Sequence, residues 1–435
     1  MNIAGSYQSM FKIPELKRRI LFTAAILVVY RLGSHIPVPG IDRQAMADAF
    51  EQLQGTFAGL YDMFSGGNLG NATIFALGIM PYISASIILQ LLQAVVPYFE
   101  KLAKEGEEGR KKITQMTRYG TVLLALIQAF GMSFAVQAMG VVDPLMNPFG
   151  FKLMFILTLT TGTLFVMWLG EQITERGIGN GISLIIFIGI VARYPTDVLR
   201  TITQMKDGNL PWFKLLLIMA FMLAVIGGII AITQGQRKIP VQYAKKIVGR
   251  RVLGGASTHI PMRVNTAGVI PIIFAQSIIM FPATLGNFFQ NSEFWTSLSR
   301  IFSPPHAVYV VVYSALIILF AYFYTAVILN PRDVADNLKK NSGFIPGVRP
   351  GPKTAEYIDR VLTRVTLPGA IFLAAIAILP DLMIYYLNVP FYFGGTGLLI
   401  VVGVALDTLQ QIESHLLMRH YDGFMNKGRL RARRT

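Results

Sequence analysis

Nine stretches of this chain contain no Asp, Glu, Lys or Arg: 63–99, 119–142, 153–170, 177–192, 215–236, 264–292, 307–331, 365–380 and 382–406. Most meet the requirement of roughly 20 apolar residues for a helix that crosses a bilayer. The windows 177–192 and 365–380 are short and must borrow flanking residues. An apolar run from Ile20, interrupted at Arg31, adds another. Ten membrane helices are therefore expected. Charged residues make up only 14% of the 435, where a soluble chain carries about a quarter, and mean hydropathy is +0.52. This composition suits lipid as solvent. The chain opens polar, and its first apolar run meets Arg31 instead of small residues, so no cleavable leader is expected. With no Cys, disulfides, thiolate metal sites and thiol catalysis are excluded.

The net charge of +16 is unevenly placed. With both termini in the cytosol, 31 of the 39 Lys and Arg fall in the N-terminus, the loops near 101–118, 171–176, 237–263 and 332–364, and the tail after His415. The opposite side holds 8. Basic loops stay inside, so a multi-pass protein with both ends cytosolic is expected. The expected organisation is an N-terminal half over 1–195, an external linker over 196–211, a C-terminal half over 212–414 and a basic tail over 415–435. The C-terminal half carries the cytosolic loops 237–263 and 332–364. Five helices per half, an odd number, force the second half into the opposite orientation, an inverted repeat whose interface usually carries the pathway.

The 37 uncharged residues from Met63 to Phe99 do not read as one helix, because Gly66, Gly67, Asn68, Gly70 and Pro81 interrupt them. Irregular backbone is tolerated at membrane depth only inside protein or beside water. The expectation is a short half-helix over about Gly59 to Asn68 that enters and stops, then a full helix from about Ala72 to Val96. One long tilted helix with a glycine kink is the alternative. A short, weakly apolar helix on glycine hinges moves cheaply, as a stopper must. Pro271, Pro282, "FGGTG" from Phe393 and "ERGIGNGIS" from Glu175 break other spans, consistent with a cavity or with plain helix packing.

Ion-coupled transporters carry ionisable residues inside their spans. Here Asp62, Glu171 and Asp381 read as span edges, and Asp407, about 12 residues into the last helix, is the exception. It reads as lining a cytosolic vestibule; a coupling carboxylate in an ion-coupled secondary transporter is the competing reading. No phosphate-binding Gly-rich loop with Lys, no metal-spaced His pair and no Ser/His/Asp set is present, so neither enzyme activity nor a cofactor is expected. In the loop 237–263, partly alternating residues on both sides of "KKIVGRR" predict a hairpin. The loop 332–364 predicts a helix started at Asn330–Pro331, a Gly/Pro tip and a helix capped near Thr354. Arg250, Arg251 and Arg349 fall on turns, where they suit phosphate or carboxylate recognition. Positive-inside topology alone accounts for the basic count equally well.

Seven stretches then point one way: "MFSGG", "IFALGIMPYISASI", "WLGEQITERGIGNGIS", "YAKKIVGRRV…STHIP", "NPRDVADNLKK", "GFIPGVRPG" and "VPFYFGGT". Together they resemble the SecY family, the channel subunits of bacterial protein translocases, from Glu15 to about Asp407. The resemblance implies an all-α polytopic fold of two pseudo-symmetric five-helix halves around an hourglass pore in the bacterial plasma membrane. It implies a pore ring of Ile79 and Ile83 on the second helix, Ile182 and Ile186 on the fifth, Ile273 on the seventh and Ile400 on the tenth. An aliphatic ring offers water and ions no partner, so it resists wetting. It implies a plug and hinge from Leu60, Tyr61, Met63, Phe64, Gly66, Gly67 and Asn68.

A lateral gate is implied between helices two and three and helices seven and eight. A segment of about 10 Leu-like residues gains about 3–6 kcal/mol on passing through it into lipid, so such a gate sorts by hydrophobicity. The implied partners are the SecE and SecG subunits, the SecA motor ATPase, the ribosome, the signal-recognition receptor and unfolded preproteins. Arg250, Arg251 and Arg349 would sit at the contact with ribosome and SecA. The first ten residues and the tail "KGRLRARRT" depart from the family pattern, and the basic tail suits anionic lipids.

Overall fold

A computed structural model of the chain describes residues 13–51, 57–208, 211–243, 246–248, 251–253, 257–288, 293–302, 306–387 and 395–427. In chain order the elements begin with α1 Pro14–Gly33, α2 Arg43–Glu51, α3 Phe57–Ser65, α4 Met80–Val95, α5 Pro97–Lys104, α6 Glu107–Ala138, α7 Pro148–Arg176, α8 Gly181–Val191, α9 Tyr194–Lys206 and α10 Trp212–Gln234. Strands β1 Gln236–Tyr243, β2 Lys246–Val248, β3 Arg251–Leu253 and β4 Ser257–Arg263 follow. Then come α11 Ile270–Phe288, α12 Glu293–Ile301, α13 Ala307–Ile328, α14 Pro331–Lys340, β5 Gly343–Phe344, α15 Pro352–Leu387 and α16 Gly395–Lys427.

Among the described residues, seven helices are long and apolar enough to cross a membrane; counting α4 and α5, which meet at a 97° bend, as one span gives eight. The apolar stretch Ile270–Ile279 of α11 is shorter. Residues group into two compact units, one within Met1–Thr196 and Ile400–Thr435, the other within Asp197–Leu399. Helix α9 occupies most of the expected linker, and α16 runs on to Lys427, through the first part of the expected tail.

Side-chain caps set several helix starts. Asn147 accepts from Phe149 N ahead of α7, with Pro148 in the first turn, and Asn330 accepts from Arg332 N ahead of α14. Asn180 caps α8 by accepting from both Ile182 N and Ser183 N.

In the first unit, α6 and α7 pack around Ala125, Ala129, Phe151, Phe155 and Leu159, all buried. The small residues on α6 let the backbones approach. Leu69, Ala72, Ala76 and Leu77 join the same core from a stretch that is not helical. There the structure corrects the expectation: the helix begins at Met80, not near Ala72, and 66–79 forms a chain of turns. The reason is local. Pro81 sits in the first turn of α4, where its missing N–H costs nothing. Ala72 and Gly78 have φ of 47° and 55°, outside the right-handed helix. The freed backbone groups find partners: Val38 N donates to Ala72 O at 2.8 Å, Ile74 N to Ile36 O at 3.0 Å and Thr73 N to Asn68 O at 3.0 Å.

In the second unit the two basic loops fold as one lobe. β1 pairs antiparallel with β4, Ile239 opposite Ile260, which is the expected hairpin. β1 also pairs with β5 from the later loop, Gln242 opposite Phe344. Alternation turns Ile239 and Val241 inward, onto Met262, Leu338, Ile345, Ile358 and Leu362. The helix expected near Thr354 starts earlier, at Pro352.

Candidate functional site

The candidate site is built around α3 and the turns that follow it. At nine residues α3 is about 14 Å long, half a bilayer core. It ends because Gly66 and Gly67 take φ of 76° and 83°, the left-handed region that glycine enters without strain. Gly66 also lies so close to α8 that a Cβ on it would stand 2.7 Å from Gly189 Cα.

Polar bonds fasten the turn. The Tyr30 hydroxyl of α1 donates to Ser65 O at 3.3 Å and accepts from Asn68 Nδ2, also at 3.3 Å. Asn68 Nδ2 reaches Ser65 O as well. Tyr61 Oη donates to Leu77 O at 3.0 Å, tying α3 to the irregular stretch. Phe75 stacks on Tyr30 with ring centroids 5.7 Å apart. Phe64, Ser65 and Asn68 are buried.

Asp62, a span edge by sequence, organises this turn. Its side chain is 4% exposed. Oδ1 accepts from Leu69 N at 3.0 Å and Gly70 N at 2.9 Å, while Oδ2 accepts from Arg193 Nη1 at 2.8 Å. The one available signal was an acidic residue four positions before a glycine-rich turn, within reach of its backbone N–H groups. Its cation lies 131 residues away.

The remaining expected site residues fall as follows. Ile79 is the residue before α4, and Ile83 lies one turn in, its N–H donating to Ile79 O at 3.1 Å; both are buried. Ile182 opens α8 half-buried, and Ile186, one turn on, is buried. Ile400 is buried on α16 in the same unit. Ile273 is buried on α11 of the other unit. Leu60 and Met63 lie on α3. Arg251 lies on β3 opposite Val248, and Arg250 lies outside the described residues. Arg349 is exposed on the tip between Gly347 and Gly351, where its carbonyl accepts from Thr354 Oγ1 at 2.9 Å. Asp407 is exposed on α16, one turn before Gln411, whose Oε1 accepts from Gly179 N at 3.0 Å.

Helices of spanning length with little charge within them define a polytopic helical membrane protein, and its fold is that of a solved protein-conducting channel, with TM-score 0.65 over 93% of this chain. The chain belongs to the SecY family, whose profile matches residues 73–409. It is 50% identical over 423 residues to the protein translocase subunit SecY of Escherichia coli K12, covering 96% of both chains. Its fold matches a solved SecY channel whose plug domain is described as stabilising the closed state and maintaining a membrane seal. That match has TM-score 0.64 and 18% identity, over 93% of this chain and 96% of that one. It also matches Sec61 of the canine ribosome–channel complex, with TM-score 0.57 and 16% identity, over 93% and 96% of the two chains.

Proposed function

We propose that this chain is the channel subunit of a bacterial protein translocase. It passes unfolded secretory polypeptides across the plasma membrane and releases hydrophobic segments sideways into lipid. The observation that carries this reading is the 50% identity with the Escherichia coli subunit along 96% of both chains.

Within that function, Ile79, Ile83, Ile182, Ile186, Ile273 and Ile400 form the constriction. Aliphatic side chains exclude water and ions, yet touch any polypeptide without sequence preference. Helix α3 with the turns through Asn68 is the stopper: too short to span, glycine-hinged and seated among buried side chains. Asp407 lines the cytosolic vestibule. Both termini lie in the cytosol in this reading, which the bias of Lys and Arg supports. The basic lobe, with Arg349 exposed at its tip, docks the ribosome, the SecA motor and the signal-recognition receptor. SecE and SecG complete the complex, and the chain relies on such partners for energy.

The test is reconstitution of the chain with SecE and SecG subunits in liposomes, with SecA and ATP outside. A signal-bearing preprotein should become protected from added protease only when ATP is present. Ion-gradient-driven uptake of a small solute, with no preprotein protected, would contradict the reading.

A further inference from the structure

The Asp62–Arg193 ion pair, whose carboxylate is buried, is a charge contact of the first unit that the channel reading leaves unused. The Asp62 carboxylate divides its two oxygens between two tasks. Oδ1 gathers the N–H groups of Leu69 and Gly70, which shapes the turn after α3. Oδ2 takes Arg193 Nη1 at 2.8 Å, which reaches out of the turn to another helix. Arg193 stands two residues beyond α8, where its N–H still donates to Ile190 O and its charge complements the helix C-terminus. Its side chain is 26% exposed, so the pair sits at the rim of the packing, with the carboxylate inside and the guanidinium half out.

Beside the ion pair, the closest approach described between this turn and α8 is between two glycines. Gly66 meets Gly189 backbone to backbone, with no side chains to interlock. Such a surface lets one element slide over another. An ion pair with a buried carboxylate does not, because parting it strands a charge in a poorly solvated site. We propose that Asp62 and Arg193 are a positioning pair, a clasp between stopper and α8 that sets how readily the channel opens. This rests on the stopper reading above.

The experiment is single-channel recording in planar bilayers of the full chain carrying Arg193→Gln, Asp62→Asn, both together, or a deletion of residues 60–68. Arg193→Gln leaves every bond that shapes the turn in place, and Asn at 62 keeps an acceptor for the two N–H groups. Each single variant should raise the resting open probability at least about tenfold, and the double variant should add little to either, the non-additivity of a coupled pair. Thermal unfolding of Arg193→Gln should fall, because the buried Asp62 carboxylate is left without its cation, and the resting open probability should rise with it. The clasp is overturned if Arg193→Gln lowers thermal stability while the resting channel stays as closed as before. It is overturned too if both single variants are silent where the deletion opens the channel. Silence of the deletion itself would sink the stopper reading, and the clasp with it.

Discussion

Gly66 and Gly189 meet backbone to backbone: a Cβ on Gly66 would stand 2.7 Å from Gly189 Cα, and one on Gly189 would stand 3.2 Å from Gly66 Cα. The two positions are not equivalent. Gly66 has φ of 76°, so a side chain there also pays for a left-handed backbone, about 1–2 kcal/mol. Gly189 is an ordinary helical residue of α8. Gly66→Ala should therefore lower the unfolding temperature of the purified chain clearly more than Gly189→Ala. Equal tolerance of the two substitutions would mean the turn is not seated on α8.

Thr23 makes a bond across the first unit that hydrophobic pattern does not report. Its Oγ1 accepts from Ile178 N at 3.0 Å and donates to Arg19 O at 3.0 Å. Thr23→Val keeps the shape but leaves the buried Ile178 N–H without an acceptor, at a cost of about 1–3 kcal/mol. Thr23→Ser should recover most of that stability. Thermal unfolding of the two variants checks it, and indistinguishable curves would count against the bond.

Ile79 lies in one unit and Ile273 in the other, and the proposed constriction counts both. Replacing each by Ser puts hydroxyls where only aliphatic carbon stood, which favours water in the narrowing. The paired variant should leak ions from liposomes at rest, several-fold faster than the unaltered chain. An unchanged seal would remove these two residues from the constriction.

The parts of this fold legible in the sequence are those written locally. Asn330–Pro331 announces its helix, and the cap forms as expected. Alternation around Ile239 and Val241 announces the β1–β4 hairpin. The start of α4 lies later than expected because Pro81, which interrupts a helix from within, fits the first turn of one without loss. Joining both basic loops through the β1–β5 pair depends on residues about a hundred positions apart, Gln242 and Phe344. No local signal carries that. The same holds for Asp62 and Arg193: each alone looks like a charge at the border of a span, and only the fold brings them within 2.8 Å. The isoleucines of the constriction came from resemblance, since apolar residues one turn apart occur on every membrane helix.

The most direct measurement places a photo-crosslinking amino acid singly at Ile79, Ile83, Ile182, Ile186, Ile273 and Ile400, and at lipid-range control positions such as Leu216, which is 62% exposed on α10. A preprotein is then stalled midway by a folded domain at its end, in membranes containing the full complex. Crosslinks from all six isoleucines to the stalled chain, and none from Leu216, are the predicted result. A stalled chain that crosslinks to Leu216 while the six isoleucines stay unlabelled would contradict a polypeptide path through this constriction.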